Sequence, residues 1–284
     1  MWLWMALASA VLLGLYDVAK KHALARNDVY YVLLGATLFT VLFLSPWVSA
    51  GTPRQHLMLA FKAVLVTVSW VSGMIGLKLL PITTVSTIKA SRPMFVVLFS
   101  ILLFGERLGL LQWAGVAVML TALWLLSRSS EAEGISFRHN RGIWAMGLSV
   151  LAGVASALYD KHIVSGLQME PLFVQFWCNV YIALLLGAVL AYKAFLRGAR
   201  LPHPSWDWTI VLIAVLITCA DALYFFSLRE EGALLSVISM LRRASVVVTF
   251  VLGALLFRER KLRGKAVSLA LLLAGMALLL YGTV

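Results

Sequence analysis

Ten stretches of this chain are long and apolar enough to cross a bilayer. They cover roughly 2–20, 29–50, 58–79, 82–104, 108–127, 142–164, 171–195, 207–228, 232–257 and 262–282. A spanning helix needs about 20 mostly apolar residues. Only 13% of the 284 residues are charged and 62% are hydrophobic, and the mean hydropathy is +0.94. A soluble domain carries about 25% charged residues. The expected fold class is an all-α integral membrane protein with ten transmembrane helices. The opening run, MWLWMALASAVLLGLY, lacks a basic leader and an A-x-A cleavage pattern, so it is read as a retained first helix. Cys178 and Cys219 both fall inside apolar runs, where they read as packing residues rather than a disulfide or metal pair.

The connections are short, and the longest clearly polar one lies at the midpoint: SRSSEAEGISFRHNR, residues 127–141. The segments on either side are related. ILLFGERLGLLQWAGVAVMLTALWLL aligns with ALLFRERKLRGKAVSLALLLAGMALLL, pairing Phe104-x-Glu106-Arg107 with Phe257-x-Glu259-Arg260. Near the start of each half, Leu15-Tyr16-Asp17 pairs with Leu158-Tyr159-Asp160. The organisation is therefore read as a first repeat over 1–127, a linker over 128–141 and a second repeat over 142–284. Each half holds five spans. Five is odd, so the second copy enters the membrane upside down, giving two inverted five-helix repeats. This is a common transporter plan, with a site between the repeats near the midplane.

On these features the chain resembles the drug/metabolite transporter superfamily, in particular its ten-helix EamA-type members. The carriers are the paired repeats, Arg92-Pro93 in the fourth span, and the short turns FGERL and FRERK. The second repeat departs from the pattern, with Ser245-Val246 in place of Arg92-Pro93. The resemblance implies a basket of helices one to four and six to nine around a central cavity, with five and ten peripheral. It also implies movement of small organic solutes by alternating access.

The net charge of +12 fits this setting, because most basic residues lie between apolar runs. Lys and Arg concentrate in the odd-numbered connections, for example Lys20, Lys21 and Arg26 in the first and Arg258, Arg260, Lys261, Arg263 and Lys265 in the ninth. The even-numbered ones hold few: Arg54, Lys62, Arg107, Lys161 and Arg229. The positive-inside rule places odd connections in the cytoplasm and both termini outside it. The expected location is a bacterial plasma (inner) membrane.

Four cations cannot be absorbed by connections: Lys89, Arg92, Arg242 and Arg243. At about 1.5 Å per residue they lie roughly 10–15 Å along the fourth and ninth spans, near mid-bilayer. Each costs roughly 2.5–3.5 kcal/mol at a helix centre, so each needs a wet cavity or a partner. The repeat places Lys89 opposite Arg242, so each half offers a cation at one equivalent position. The functional reading is an anion site held by charge-assisted hydrogen bonds. The competing reading is pairing with the carboxylates Asp17, Asp160 and Asp221. Between the two arginines, Arg242 is the expected ligand and Arg243 the expected structural partner. Asp17 and Asp160 are candidate gate residues and Asp221 a candidate proton carrier. Trp70 and Tyr224 are candidate aromatic cavity walls. Gln175 and Asn179, four apart on the seventh span, are candidate substrate contacts or interhelical glue.

No phosphate-binding loop, nucleophile motif or zinc pattern points to an enzyme, and no cofactor is expected. The leading reading is a secondary transporter for a phosphate- or carboxylate-bearing metabolite. Its rivals are an amino-acid or metabolite exporter, a flippase for a phosphate-bearing lipid, and a non-transporting scaffold whose cations are all internally paired. The expected partners are the substrate and membrane lipid, and small residues on the fifth and tenth spans would permit a homodimer. No nucleic-acid partner is expected.

Overall fold

A computed structural model describes residues 2–47, 49–104, 109–131, 134–160, 162–163, 167, 169–195, 207–229, 242–257, 259 and 262–281. Glu106, Lys161 and residues 232–241 of the ninth span lie outside the described residues. Among those described there are eleven α-helices, one 3-10 turn and no strand. The helices are α1 (Trp2–Leu24), α2 (Val29–Leu44), α3 (Pro53–Leu79), α4 (Ile82–Ala90), α5 (Arg92–Phe104), α6 (Leu110–Glu131), α7 (Arg141–Asp160), α8 (Pro171–Phe195), α9 (Trp208–Arg229), α10 (Ser245–Leu256) and α11 (Leu262–Tyr281). Six are long and apolar enough to cross a membrane: α1, α3, α6, α7, α8 and α11. The shorter α2, α9 and α10 are apolar too. Large apolar side chains such as Leu110, Trp113, Leu184 and Leu255 face outward and are more than half exposed. In water such a surface would promote association; here hydrocarbon is its solvent. The chain is an integral membrane protein.

Local chemistry sets several helix starts. Asp28 caps α2 by accepting from Tyr30 N at 3.0 Å. Thr52 and Gln55 form a reciprocal capping box on α3, with Pro53 in the first turn. The linker is shorter than its composition suggests, because α6 continues to Glu131.

Packing runs across the two halves rather than within them. The most extensive contacts are α6 with α11, α3 with α7, and α1 with α9. In span numbers these are five with ten, three with six, and one with eight. A two-fold relation between five-span units maps the first pair onto itself and exchanges the other two. Hydrogen bonds reinforce the exchanged pairs. Ser69 Oγ donates to Ser149 O at 2.8 Å and Ser149 Oγ to Ser69 O at 2.7 Å, joining α3 and α7. Ser9 Oγ donates to Ala220 O at 2.7 Å, joining α1 and α9. The α6–α11 pair is a backbone contact: a β-carbon on Gly115 would stand 2.8 Å from Gly275 O.

The turn between α3 and α4 is fastened from outside itself. Lys21 Nζ donates to the carbonyls of Leu77 (2.5 Å) and Leu80 (2.7 Å), which end α3. Glu259 accepts from Ile82 N at 2.6 Å, Thr83 N at 3.2 Å and Thr83 Oγ1, so it caps α4. Lys265, fully buried, donates to Thr83 Oγ1 at 3.2 Å and stands 4.0 Å from Glu259. This corrects part of the orientation count. Lys265 belongs to the interior, Lys62 pairs with Asp160 at 2.5 Å, and Lys20 sits on α1, which runs to Leu24 rather than ending near residue 20.

The α6–α11 contact can be tested by size. Gly115→Leu and Gly275→Leu should each lower the melting temperature of the detergent-purified chain. The overpacking penalty is about 1–3 kcal/mol. Gly187→Leu is the control, since nothing lies within 4 Å of a β-carbon there. Equal melting temperatures in all three would refute the contact.

Candidate functional site

The fourth and ninth spans are not continuous helices. The fourth breaks at Ser91, between α4 and α5, and the ninth turns at Ala244, just before α10. These two positions are equivalent in the repeat, so the break is shared. In the first half Pro93 explains it: a proline has no N–H to return to Lys89 O, and its ring crowds that carbonyl. The chain tightens to a 3-10 turn, with Ser91 N on Ile88 O and Met94 N on Ser91 O, both at 3.1 Å. The second half makes a similar bond without a proline, Val247 N to Ala244 O at 2.9 Å. Mid-helix 3-10 turns often mark hinges. Here they bracket the four cations singled out in the sequence.

All four line one cavity of about 460 Å³. Its wall takes residues from α1, α3, α4, α5, α7, α9, α10 and α11. Two differences from the expected basket stand out. The tenth span contributes Leu273 and Met276, and α2 and α8 contribute nothing.

The charges form a graded arrangement. Asp17 accepts from Lys89 at 2.8 Å and from Lys20 at 3.4 Å. Lys20 also lies 3.8 Å over the Tyr16 ring. Arg242 donates to Asp221 Oδ1 and covers the Tyr224 ring at 4.4 Å. Asp221 Oδ2 in turn accepts from Gln175 Nε2 at 2.9 Å. The other two arginines are placed differently. Arg92 reaches Ser69 Oγ at 3.4 Å and lays its guanidinium where a β-carbon on Gly153 would sit. Asp17 attracts it from beyond ion-pair distance. Among the described residues neither Arg92 nor Arg243 makes an ion pair. Both carry positive charge into the same cavity wall. Five cations thus face the cavity, with one carboxylate in its wall and a second directly behind Arg242.

The sequence-derived candidates divide accordingly. Lys89, Arg92, Arg242, Arg243, Trp70, Tyr224 and Asp17 reach the cavity wall. Gln175 and Asn179 do not: Gln175 holds Asp221, and Asn179 Nδ2 returns to Gln175 O at 2.8 Å. Gln175 thus bonds α8 to α9, while Asn179 bonds within α8 itself. Asp160 is also elsewhere, paired with Lys62. Arg242, the expected ligand, holds a carboxylate, and Arg243, the expected structural partner, makes no ion pair among the described residues. Tyr16, which the sequence left between cavity wall and aromatic belt, is a wall residue, as are Lys20 and Ser69, which were not singled out for the cavity. Lys20 carried a signal, its i+3 spacing from Asp17, but was counted with a connection.

Comparison with known proteins agrees with this architecture. A solved crystal structure of a protein superimposes with a TM-score of 0.61, covering 97% of this chain and 95% of its own, at 19% identity. That likeness shows the fold. A riboflavin transporter from Rhizobium johnstonii (strain DSM 114642 / LMG 32736 / 3841) is 28% identical over 185 residues, which are 64% of this chain and 55% of that protein. The chain thus spans about half the length of that relative. The model of the EamA-like transporter family matches residues 1–128 and again residues 140–281. Two matches to one model, covering nearly the whole sequence, place this chain in the EamA-like transporter family.

Proposed function

We propose that this chain is a secondary transporter that moves a small organic anion, bearing a phosphate or carboxylate, by alternating access through the central cavity. The observation that carries the reading is the pair Arg92 and Arg243. They face one cavity, come from opposite halves and make no ion pair among the described residues. Two such charges in one cavity favour an anion that bridges them, by charge-assisted hydrogen bonds. Lys89 and Arg242 flank them, and Trp70 and Tyr224 offer flat apolar surface beside the charge. In this reading energy comes from a gradient or exchange, no cofactor takes part, and the protein is not an enzyme.

The remaining assignments belong to the same reading. The repeats act as units over 1–127 and 142–284, joined by 128–141. Asp160 with Lys62 and Asp17 with Lys89 are ion pairs that can part as each side opens, and Asp221 is the coupling candidate. A homodimer is compatible with this plan.

A second reading draws on the aromatic wall. The relative named as a riboflavin transporter carries a planar heteroaromatic solute. Tyr16, Trp70 and Tyr224 would suit a ring, with the arginines taking its polar end. This favours a metabolite carrier over a lipid flippase or a scaffold with every cation paired.

Reconstituted protein decides between these. Arg92→Ala and Arg243→Ala should each cut uptake of labelled organic anions about tenfold or more, the loss of one hydrogen bond to a charged group. Normal anion uptake in both variants defeats the reading. Uptake of neutral aromatic solutes in place of anions would favour the second one.

Orientation has its own test. The bias of basic residues to odd connections outlasts the three interior lysines and puts both termini outside the cytoplasm. A C-terminal tag on intact cells should react with an impermeant label. Reaction only after permeabilisation would invert the topology.

A further inference from the structure

The cavity holds more cations than one anionic group would use, yet three of them already have carboxylates. Asp17 contacts Lys89 and Lys20, and Asp221 contacts Arg242. These carboxylates are not exposed capping groups. Their side chains are 16% and 20% accessible, and Asp221 is itself held from behind by Gln175. A carboxylate fixed in this way competes with a substrate for the cation it touches.

We infer that Asp17 and Asp221 are specificity-determining residues: by occupying Lys89 and Arg242 they leave Arg92 and Arg243 as the anion subsite, so the cavity accepts one anionic group and draws no advantage from a second. The inference rests on the anion reading above and adds the charge of the substrate to it.

The placement supports this. Arg242 and Arg243 are successive residues on one span, so a second anionic group next to one bridging Arg92 and Arg243 would come beside Arg242. There it meets a guanidinium already bonded to Asp221 and stacked on Tyr224. Lys89 is similarly turned to Asp17. A buried charge pair satisfies its members and pulls weakly on a third charge; removing one member leaves a strong unpaired charge. The internal carboxylates therefore act as a filter on substrate charge, and Gln175 is the positioning residue that keeps Asp221 in place.

The test uses two probes with one ring each: benzoate, with one carboxylate, and phthalate, with two. Equilibrium dialysis of the purified full-length chain at neutral pH gives the affinity for each. Wild type should bind both with affinities within a few-fold of each other. Asp221→Asn frees Arg242 and should raise the phthalate-to-benzoate affinity ratio about tenfold, the effect of one added hydrogen bond to a charged group. Asp17→Asn, which frees Lys89, should shift the ratio the same way and serves if the first variant does not fold. The double variant Asp221→Asn with Arg242→Gln buries no unpaired charge and should return to the wild-type ratio. A merely structural role for Asp221 would weaken both probes together and leave the ratio alone. Binding of both probes with an unchanged ratio in the single variants overturns the filter and leaves the anion reading standing. Binding of neither probe by wild type overturns both.

Discussion

A charge in a bilayer must be paired or wetted, and the centre of this protein is arranged around that requirement. Five cations face one cavity, supplied by the first, fourth and ninth spans. Four of them have an identifiable seat. Lys20 and Lys89 share Asp17, Arg242 takes Asp221 and the face of Tyr224, and Arg92 lies along α7 where Gly153 leaves room for it. Gly153 is not a conformational device here. It is the absence of a side chain that lets a guanidinium rest against a helix backbone. The surrounding packing follows the same logic. Serines and glycines at the α3–α7 and α6–α11 contacts bring backbones close without asking apolar side chains for a driving force that lipid cannot supply.

The fold was largely legible in the sequence because the bilayer imposes lengths. Runs of about 20 apolar residues have few other uses, and the two related halves fixed their number and sense. The break at Ser91 was written in Pro93, but the one at Ala244 has no proline and left no mark. The site was legible in part. Lys89, Arg92, Arg242 and Arg243 stood out as charges in apolar runs, and all reach the cavity. Asp17 and Asp221 stood out as candidate partners, but which cation each takes did not, since the Asp221–Arg242 and Lys89–Asp17 pairs join different spans. Nor could helix faces be read, because a spanning helix is apolar towards lipid and towards its neighbours alike. That is why the sequence did not show which of Arg242 and Arg243 meets a carboxylate, and why Lys265 looked like a connection residue although it is fully buried.

Related sequence positions occupy unlike surroundings. Tyr16 and Asp17 lie in the cavity wall, whereas Tyr159 meets Phe61 edge to face and Asp160 pairs with Lys62. Lys89 and Arg242, equivalent in the repeat, are held by carboxylates from the first and eighth spans respectively.

The broken fourth span has a mechanical consequence. α4 is nine residues long, about 13 Å, or less than half the hydrocarbon thickness. Its start is bonded to Glu259 of the second half, while α5 packs on α7 and carries the Arg92 that rests there. The span is thus two rods in series, moored to different parts of the molecule, with a joint at the level of the cavity. Rotation at that joint tips one rod while the other keeps its tilt and its lipid contacts. A rearrangement on one side of the membrane then need not reshape the bilayer on the other.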